Sequence, residues 1–445
     1  MDVPQSAPLI AWAYLEDSPS LQTVRELLAA VPDRELLVRL RRLRGRGRND
    51  YPVDSLWGVL LLTIALRHGS IESCLGELRR NAGLRSVIGI VGEEGVPKAW
   101  NMSRFLKTLG RADCLELLQK AFGQMALQLG QAVPSLGVDC AGDSTGLSAR
   151  QDRGEAAAAL PQPDGGRKEY SDEAGRVTRI VEWFGYKLHL LVDARHEVAL
   201  SYRITSTKDG DAETLPVLLD EAQSRLPEGR MQTLAYDRAA DSHAFHEALD
   251  KGAVSPVVEM RSLWKDHFDR PLPGSDGLPV RLTYDEAGTV YCWDDSGEAP
   301  LRRRMTYAGH EATRHTNKYR CSAATAEWHC GCEHKYNAGK TYGLTIRVKQ
   351  DLDLRRFPSI PRATLKFQRL YRGRTAVERV IGRIKSFWGA DDGNIRGAER
   401  FHGYVGAVML VHLAFATILA GAARPPGTLG KMGLGPIQQA LRDRR

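Results

Sequence analysis

Residues 177–237 constrain the fold more than any other stretch. VTRIVEW, FGYKLHLLVD and EVALSYRIT alternate apolar and polar positions and are rich in β-branched residues, the pattern of half-buried strands. The DARH turn at 193–196 separates the last two, so an antiparallel meander is expected. TKDGDAETLPVLLDEAQSRL then caps and builds a helix, expected over 214–226, and MQTLAYD reads as a further strand ending at Asp237. Strand, strand, strand, helix, strand is the order of an α/β domain. A carboxylate at the end of a buried strand, followed by small residues and a second helix at 242–249, is well placed to line a cleft.

The chain before this stretch reads as mainly helical. With 445 residues it has room for about three domains. Pro52 opens a helix that is apolar nearly all round and therefore buried, and helices at 72–84 and 102–118 follow. Residues 34–48 hold seven arginines and close with RLRGRGR. Arg41, Arg42, Arg44, Arg46 and Arg48 are candidates to lie along phosphates or enter a minor groove; the alternative is a solvated charged run. A net charge of +8 fits a polyanionic partner, though a modest excess says little alone. Seven cysteines show no secreted disulfide pattern, and the first residues lack a basic segment leading into an apolar run, so a reducing, cytoplasmic setting is expected. Residues 405–423 are apolar for about the length of a membrane span. They contain His412 and are rich in Ala and Gly, so a buried helix is expected and no membrane partner.

Two further stretches carry candidate chemistry. SLGVDCAGDSTGL, 135–147, reads as a short strand in which Asp139 and Asp143, four apart, share a face. YRGRTAVERVIGRIK, 371–385, reads as one helix: it lacks proline, and Leu370, Val377, Ile381 and Ile384 recur at helical spacing. Tyr371, Arg374, Glu378 and Lys385 would span an arc of roughly 60° on that helix. Gly382 lies on the same stripe, where a missing side chain lets a ligand come close. The plain alternative is a solvated helix with an Arg374–Glu378 pair worth a few tenths of a kcal/mol.

The spacing Y-x2-R-x3-E-x6-K resembles the signature of DDE transposases from bacterial insertion sequences. DSTGL at 143–147 resembles the family's first-aspartate motif, and DRAADS at 237–242 the second, with Ala240 where tyrosine is usual. GYKLHLLVD is also typical, and GRGRNDYPVDSLWGVLLL with NMSRFLKTLG resembles the family's N-terminal region, which serves end binding and dimerisation. The resemblance implies a ribonuclease H-like catalytic core with a helical N-terminal domain and a β-rich insertion before the last catalytic helix. The expected division is 1–130 helical, 131–255 first part of the core, 256–345 insertion, 346–424 last part of the core and 425–445 basic tail. Asp143, Asp237 and Glu378 would be the carboxylates of a two-ion Mg2+ site, with Mn2+ able to substitute; Asp139 and Asp241 are the alternatives for the first two. Tyr371, Arg374 and Lys385 would hold DNA near the cut. The implied activity is cleavage at insertion-sequence ends and strand transfer into target DNA. Its implied partners are double-stranded DNA, as terminal repeats and target, and a second copy of the chain in a synaptic homodimer.

Residues 256–345 carry Pro271, Pro273 and Pro279, short strand candidates and four of the seven cysteines. Cys292, Cys321, Cys330 and Cys332, with His329 and His334, are candidate zinc ligands. The C-x-C spacing strains joint ligation, so reduced, zinc-free cysteines are expected. Two rival readings remain. One is a non-catalytic DNA-binding protein derived from a transposase. The other is a recombinase of another class, for which His267 and Arg270 match only H-x-x-R, without a convincing tyrosine partner.

Overall fold

The computed structural model describes residues 19–46, 49–150, 160–172, 176–274, 281–294, 297–321, 323, 343–392, 394–422 and 428–430. In chain order the helices are α1 Pro19–Ala29, α2 Arg34–Arg44, α3 Val53–Ala65, α4 Ile71–Arg80, α5 Ala82–Val87, α6 Ala99–Leu109 and α7 Ala112–Ala132, then α8 Asp211–Ser224, α9 His243–Lys251, α10 Leu365–Arg372, α11 Thr375–Gly382 and α12 Ala398–Ala420. The strands are β1 Asp139–Ser148, β2 Asp164–Ser171, β3 Val177–Asp193, β4 Val198–Thr205, β5 Thr233–Tyr236, β6 Ser255–Val258, β7 Arg270–Pro271, β8 Leu282–Tyr284, β9 Val290–Asp294, β10 Leu301–Arg304, β11 Thr306–Glu311, β12 Thr316–Arg320 and β13 Thr345–Lys349. The chain divides into two compact units, one of residues 1–137, 143–230 and 376–445, the other of residues 138–142 and 231–375.

In the first unit, the two strands expected at 177–193 are a single strand, β3. It pairs antiparallel with β4 from Lys187↔Thr205 to Asp193↔Val198. Its exposed first half pairs with β2, inside what the sequence suggested was an irregular surface excursion. From Asp143 onward β1 lies beside β3. Gly185 makes that possible: a Cβ there would lie 1.9 Å from the Leu147 carbonyl oxygen, so only glycine fits. Around the strands pack the expected helices. Gly110 closes α6, and the single helix expected at 102–118 becomes α6 and α7. α12 touches α1, α3, α6, α7 and β4. It is long and apolar enough to span a membrane, but its most apolar stretch is 89% buried, as expected of a core helix.

In the second unit, Asp139–Ala141 of β1 pair in parallel with Thr233–Ala235 of β5. β5 pairs in parallel with β6 from Thr233↔Ser255 to Tyr236↔Val258. The strands that lead to Asp143 and Asp237 thus belong to one sheet, as the sequence order requires. Four strands, a helix and then two parallel strands separated by α9 give a mixed α/β order. After β6 come two small antiparallel sheets, β7–β10 and β11–β13. Leu282, Val290, Cys292, Met305, Tyr319, Cys321 and Val348 form their shared core. Cys292 and Cys321 are buried free thiols there; Cys330, Cys332, His329 and His334 lie outside the described residues.

The largest departure from expectation is at 371–385. One continuous helix was expected; instead α10 ends at Arg372, α11 begins at Thr375, and residues Arg383–Phe387 form a π-helical turn. Gly373 is a poor helix former. The Gly373 N–H bonds the Leu370 carbonyl and the Arg374 N–H the Tyr371 carbonyl, three residues back rather than four, which tightens and ends the helix. The four signature residues therefore do not share one regular helical stripe.

Candidate active site

Asp143 is half-buried on β1. One of its oxygens accepts the Ser144 N–H at 2.8 Å. Asp139, on the same strand, accepts the Thr233 hydroxyl at 2.7 Å, a structural tie between β1 and β5. α11 carries Glu378, exposed on its surface. The neighbours of Glu378 fix this helix from other faces: Arg379 reaches Glu197 at 2.6 Å, and Arg383 pairs with the same carboxylate. Lys385, in the π-helical turn, donates to the Gly146 carbonyl at 2.6 Å and pairs with Asp391 at 2.9 Å. Asp391 in turn accepts the Ser148 N–H. Lys385 thus ties the turn to β1 within a few residues of Asp143.

In the second unit Asp237 directly follows β5 and caps a short 3-10 turn, Arg238–Ala240, its Oδ1 accepting the Ala239 N–H at 3.0 Å. Tyr371 lies in the last turn of α10, stacked on Phe367 with ring centroids 5.7 Å apart. The Arg374 guanidinium lies 5.9 Å from the Tyr371 ring. Burial pushes the Tyr371 phenol up from its ordinary value; Glu259, its hydrogen-bond partner, and Asp237 push the same way, and Arg374 opposes them. Asp237, Tyr371 and Arg374 are therefore brought into one neighbourhood with Glu259. The sequence reading missed Glu259. The signal was there: Tyr236↔Val258 is the last pair of the β5–β6 register, so Asp237 and Glu259 leave adjacent parallel strands in step.

Asp241, the alternative second acid, has a different role. Its side chain is fully buried. It accepts from Arg355 Nε at 2.8 Å and from the Arg261 N–H at 2.8 Å, and lies 3.0 Å from His246 Nε2. Burial alone would raise its pKa, but His246, Arg355, the Arg261 amide and Arg362 together hold it well below the usual carboxylate range. No oxygen is left facing solvent.

The arginine segment is only partly available to a ligand. Arg41 pairs with Asp54 and Arg44 donates to the Tyr51 carbonyl. Arg42 and Arg46 are exposed, and Arg48 lies outside the described residues. Among the described residues no group of three or more His, Cys, Asp or Glu side chains is placed to hold a metal ion. Asp143 and Glu378 belong to the first unit and Asp237 to the second.

No curated protein matches the chain. Among solved structures, it is similar to a Mos1 transposase paired-end complex with left transposon end at 12% identity, covering 48% of this chain and 60% of that one. The TM-score of 0.17 is too low for that likeness to bear on fold or function. The family model described as "Transposase DDE domain" matches residues 139–414, well over half of the chain and spanning Asp143, Asp237 and Glu378. The chain belongs to the transposase DDE domain family.

Proposed function

We propose that this protein is a DNA transposase that cuts at the ends of an insertion sequence and joins the freed ends to target DNA, with Asp143, Asp237 and Glu378 as its metal-holding carboxylates. The observation that carries the reading is the family match: the transposase DDE domain model covers residues 139–414 and so takes in all three acids. Both aspartates are half-buried and each has an oxygen oriented by a nearby main-chain N–H. Hard carboxylate oxygens are the donors Mg2+ prefers, and Mn2+ accepts them too. Bound there, two such ions would lower the pKa of the attacking hydroxyl and neutralise charge on the leaving oxygen.

The chain's own residues would position the DNA. Tyr371, oriented by Phe367 and Glu259, would present its phenol beside Asp237 to a phosphate or an unstacked base. Arg374 and Lys385 would add positive charge for phosphates, Lys385 by sharing its ammonium between the Gly146 carbonyl and DNA. The reaction is hydrolysis of a phosphodiester to free a 3′-OH, followed by attack of that 3′-OH on a target phosphodiester. No protein side chain becomes covalently attached. Double-stranded DNA and a second copy of the chain are the partners this reading requires. Its test is to incubate the full chain with DNA carrying the element's ends and Mg2+ and to map the cut strands. The expected result is a 3′-OH at the element end, loss of cutting in EDTA and no protein–DNA adduct. EDTA-resistant cutting through a covalent adduct would assign the protein to another recombinase class.

A further inference from the structure

Glu378 sits on a helix of only eight residues, α11. The break at Gly373 separates that helix from α10, and the π-helical turn follows it. From Ala376 on, α11 belongs to the first unit, whereas α10 belongs to the second. Its seat therefore depends on its own contacts. Ala376, Val377 and Val380 are buried beneath it, but apolar burial is non-directional and does not by itself fix rotation or register.

The directional contact comes from Glu197, in the turn between β3 and β4 and only 7% exposed. One of its oxygens accepts from Arg379 Nε at 2.6 Å and the other from Arg383. These arginines are four residues apart and leave α11 on one side; Arg379 is the residue next to Glu378. The turn that carries Glu197 is itself fixed. The buried Asp193 carboxylate accepts the Gly137 N–H at 2.7 Å and the His196 N–H, and the Glu197 N–H donates to the Asp193 carbonyl at 3.0 Å. Glu197 holds φ at +56°, a left-handed conformation in which glycine is the default.

As a source of stability this is a poor choice. Burying the ions costs hydration that their attraction barely offsets, and glycine would remove the backbone strain. Positional precision does account for it. A carboxylate that ligates a metal must be held to within about half an ångström, which requires neighbours that are themselves locked. Lys385, bonded to the Gly146 carbonyl, ties the following turn to the strand that carries Asp143.

We infer that Glu197 is a positioning residue for the third acid: through Arg379 and Arg383 it sets the seat and rotation of α11, and so where Glu378 is presented to a divalent cation. The inference rests on Glu378 being a metal ligand. It is tested on the full chain bound to DNA carrying its element's ends, by titrating Mn2+ and reading the free ion by electron paramagnetic resonance. Glu197→Gln removes the charge, keeps the shape, and is expected to weaken Mn2+ binding by about tenfold or more while DNA affinity stays within about twofold. Arg379→Gln changes a half-exposed side chain and serves where Glu197→Gln fails to fold; with Arg383 still in place it should weaken Mn2+ binding less, but by more than about twofold. Mn2+ binding within about twofold of wild type for a folded Glu197→Gln, or for Arg379→Gln where Glu197→Gln does not fold, would overturn the inference, whatever the melting temperatures. Glu378→Gln separates the two levels. If it leaves Mn2+ binding intact, the reading of the site fails; if it abolishes binding while the other variants bind normally, only the positioning role fails.

Discussion

At the scale of single residues, acids that look alike in the sequence have opposite roles. Asp237 and Asp241 both belong to DRAADS, and nothing in that string says which is buried. The fold decides it: Asp241 faces Arg355, whose side chain is 4% exposed, and Asp237 caps an exposed turn. Asp241→Asn should therefore cost about 3–5 kcal/mol in denaturant unfolding by leaving Arg355 buried and unpaired; a change under about 1 kcal/mol would contradict the assignment. Because the Asp241 carboxyl is held below its unfolded value, its contribution is present above about pH 4 and lost as pH falls further. His315 behaves in the opposite sense. Partial burial pulls its pKa down, but hydrogen bonds to Asp351 at 2.6 Å and Asp250 at 3.0 Å outweigh that and raise it. Its stabilisation is complete below about pH 6.5 and lost as pH rises through the raised value. The melting-temperature gap between wild type and His315→Gln should be wider near about pH 5.5 than near about pH 9. A gap that is flat or grows with pH would show that the pair is not ionic.

At the scale of elements, the strands and caps were legible and the breaks were not. Alternation located β3 and β4, and the DARH turn located their hairpin. Whether VTRIVEW and FGYKLHLLVD are one strand or two depends on whether Gly185 is a turn or a close approach, and only the Leu147 carbonyl against it answers that. Helical periodicity at 371–385 was strong enough to hide Gly373, because the apolar spacing continues across the break. The arginine segment shows the same limit: seven arginines are visible in sequence, but the acceptors Asp54 and Tyr51 that occupy two of them are not. Arg42 and Arg46, exposed on and just after α2, should therefore carry more of the DNA contact than Arg41 and Arg44. Replacing Arg42 and Arg46 with alanine should reduce the salt slope of DNA binding by roughly 1.8, at about 0.9 per phosphate contact. Replacing Arg41 and Arg44 should reduce it less. An unchanged slope for Arg42 and Arg46 would make the segment a solvated run.

At the scale of the whole molecule, the order of elements was readable because each strand and helix carries its own period. The pairing was not, since parallel register between β1 and β5 joins residues far apart in the chain. Glu259 came into view in the same way, through the β5–β6 register that sets it in step with Asp237. The pairing of β2 with β3 and the cysteines buried in the insertion core likewise depend on contacts no local pattern announces. The central claim is that Asp143, Asp237 and Glu378 act together through a divalent cation. It is tested most directly with Glu378→Gln, which keeps size and helix propensity and removes only the charge, by measuring Mg2+-dependent cleavage of end DNA alongside binding of the same DNA. Cleavage should be lost while binding stays within about twofold of wild type, since a metal-holding carboxylate serves the chemistry and not the recognition of DNA. Normal Mg2+-dependent cleavage by Glu378→Gln would contradict the claim.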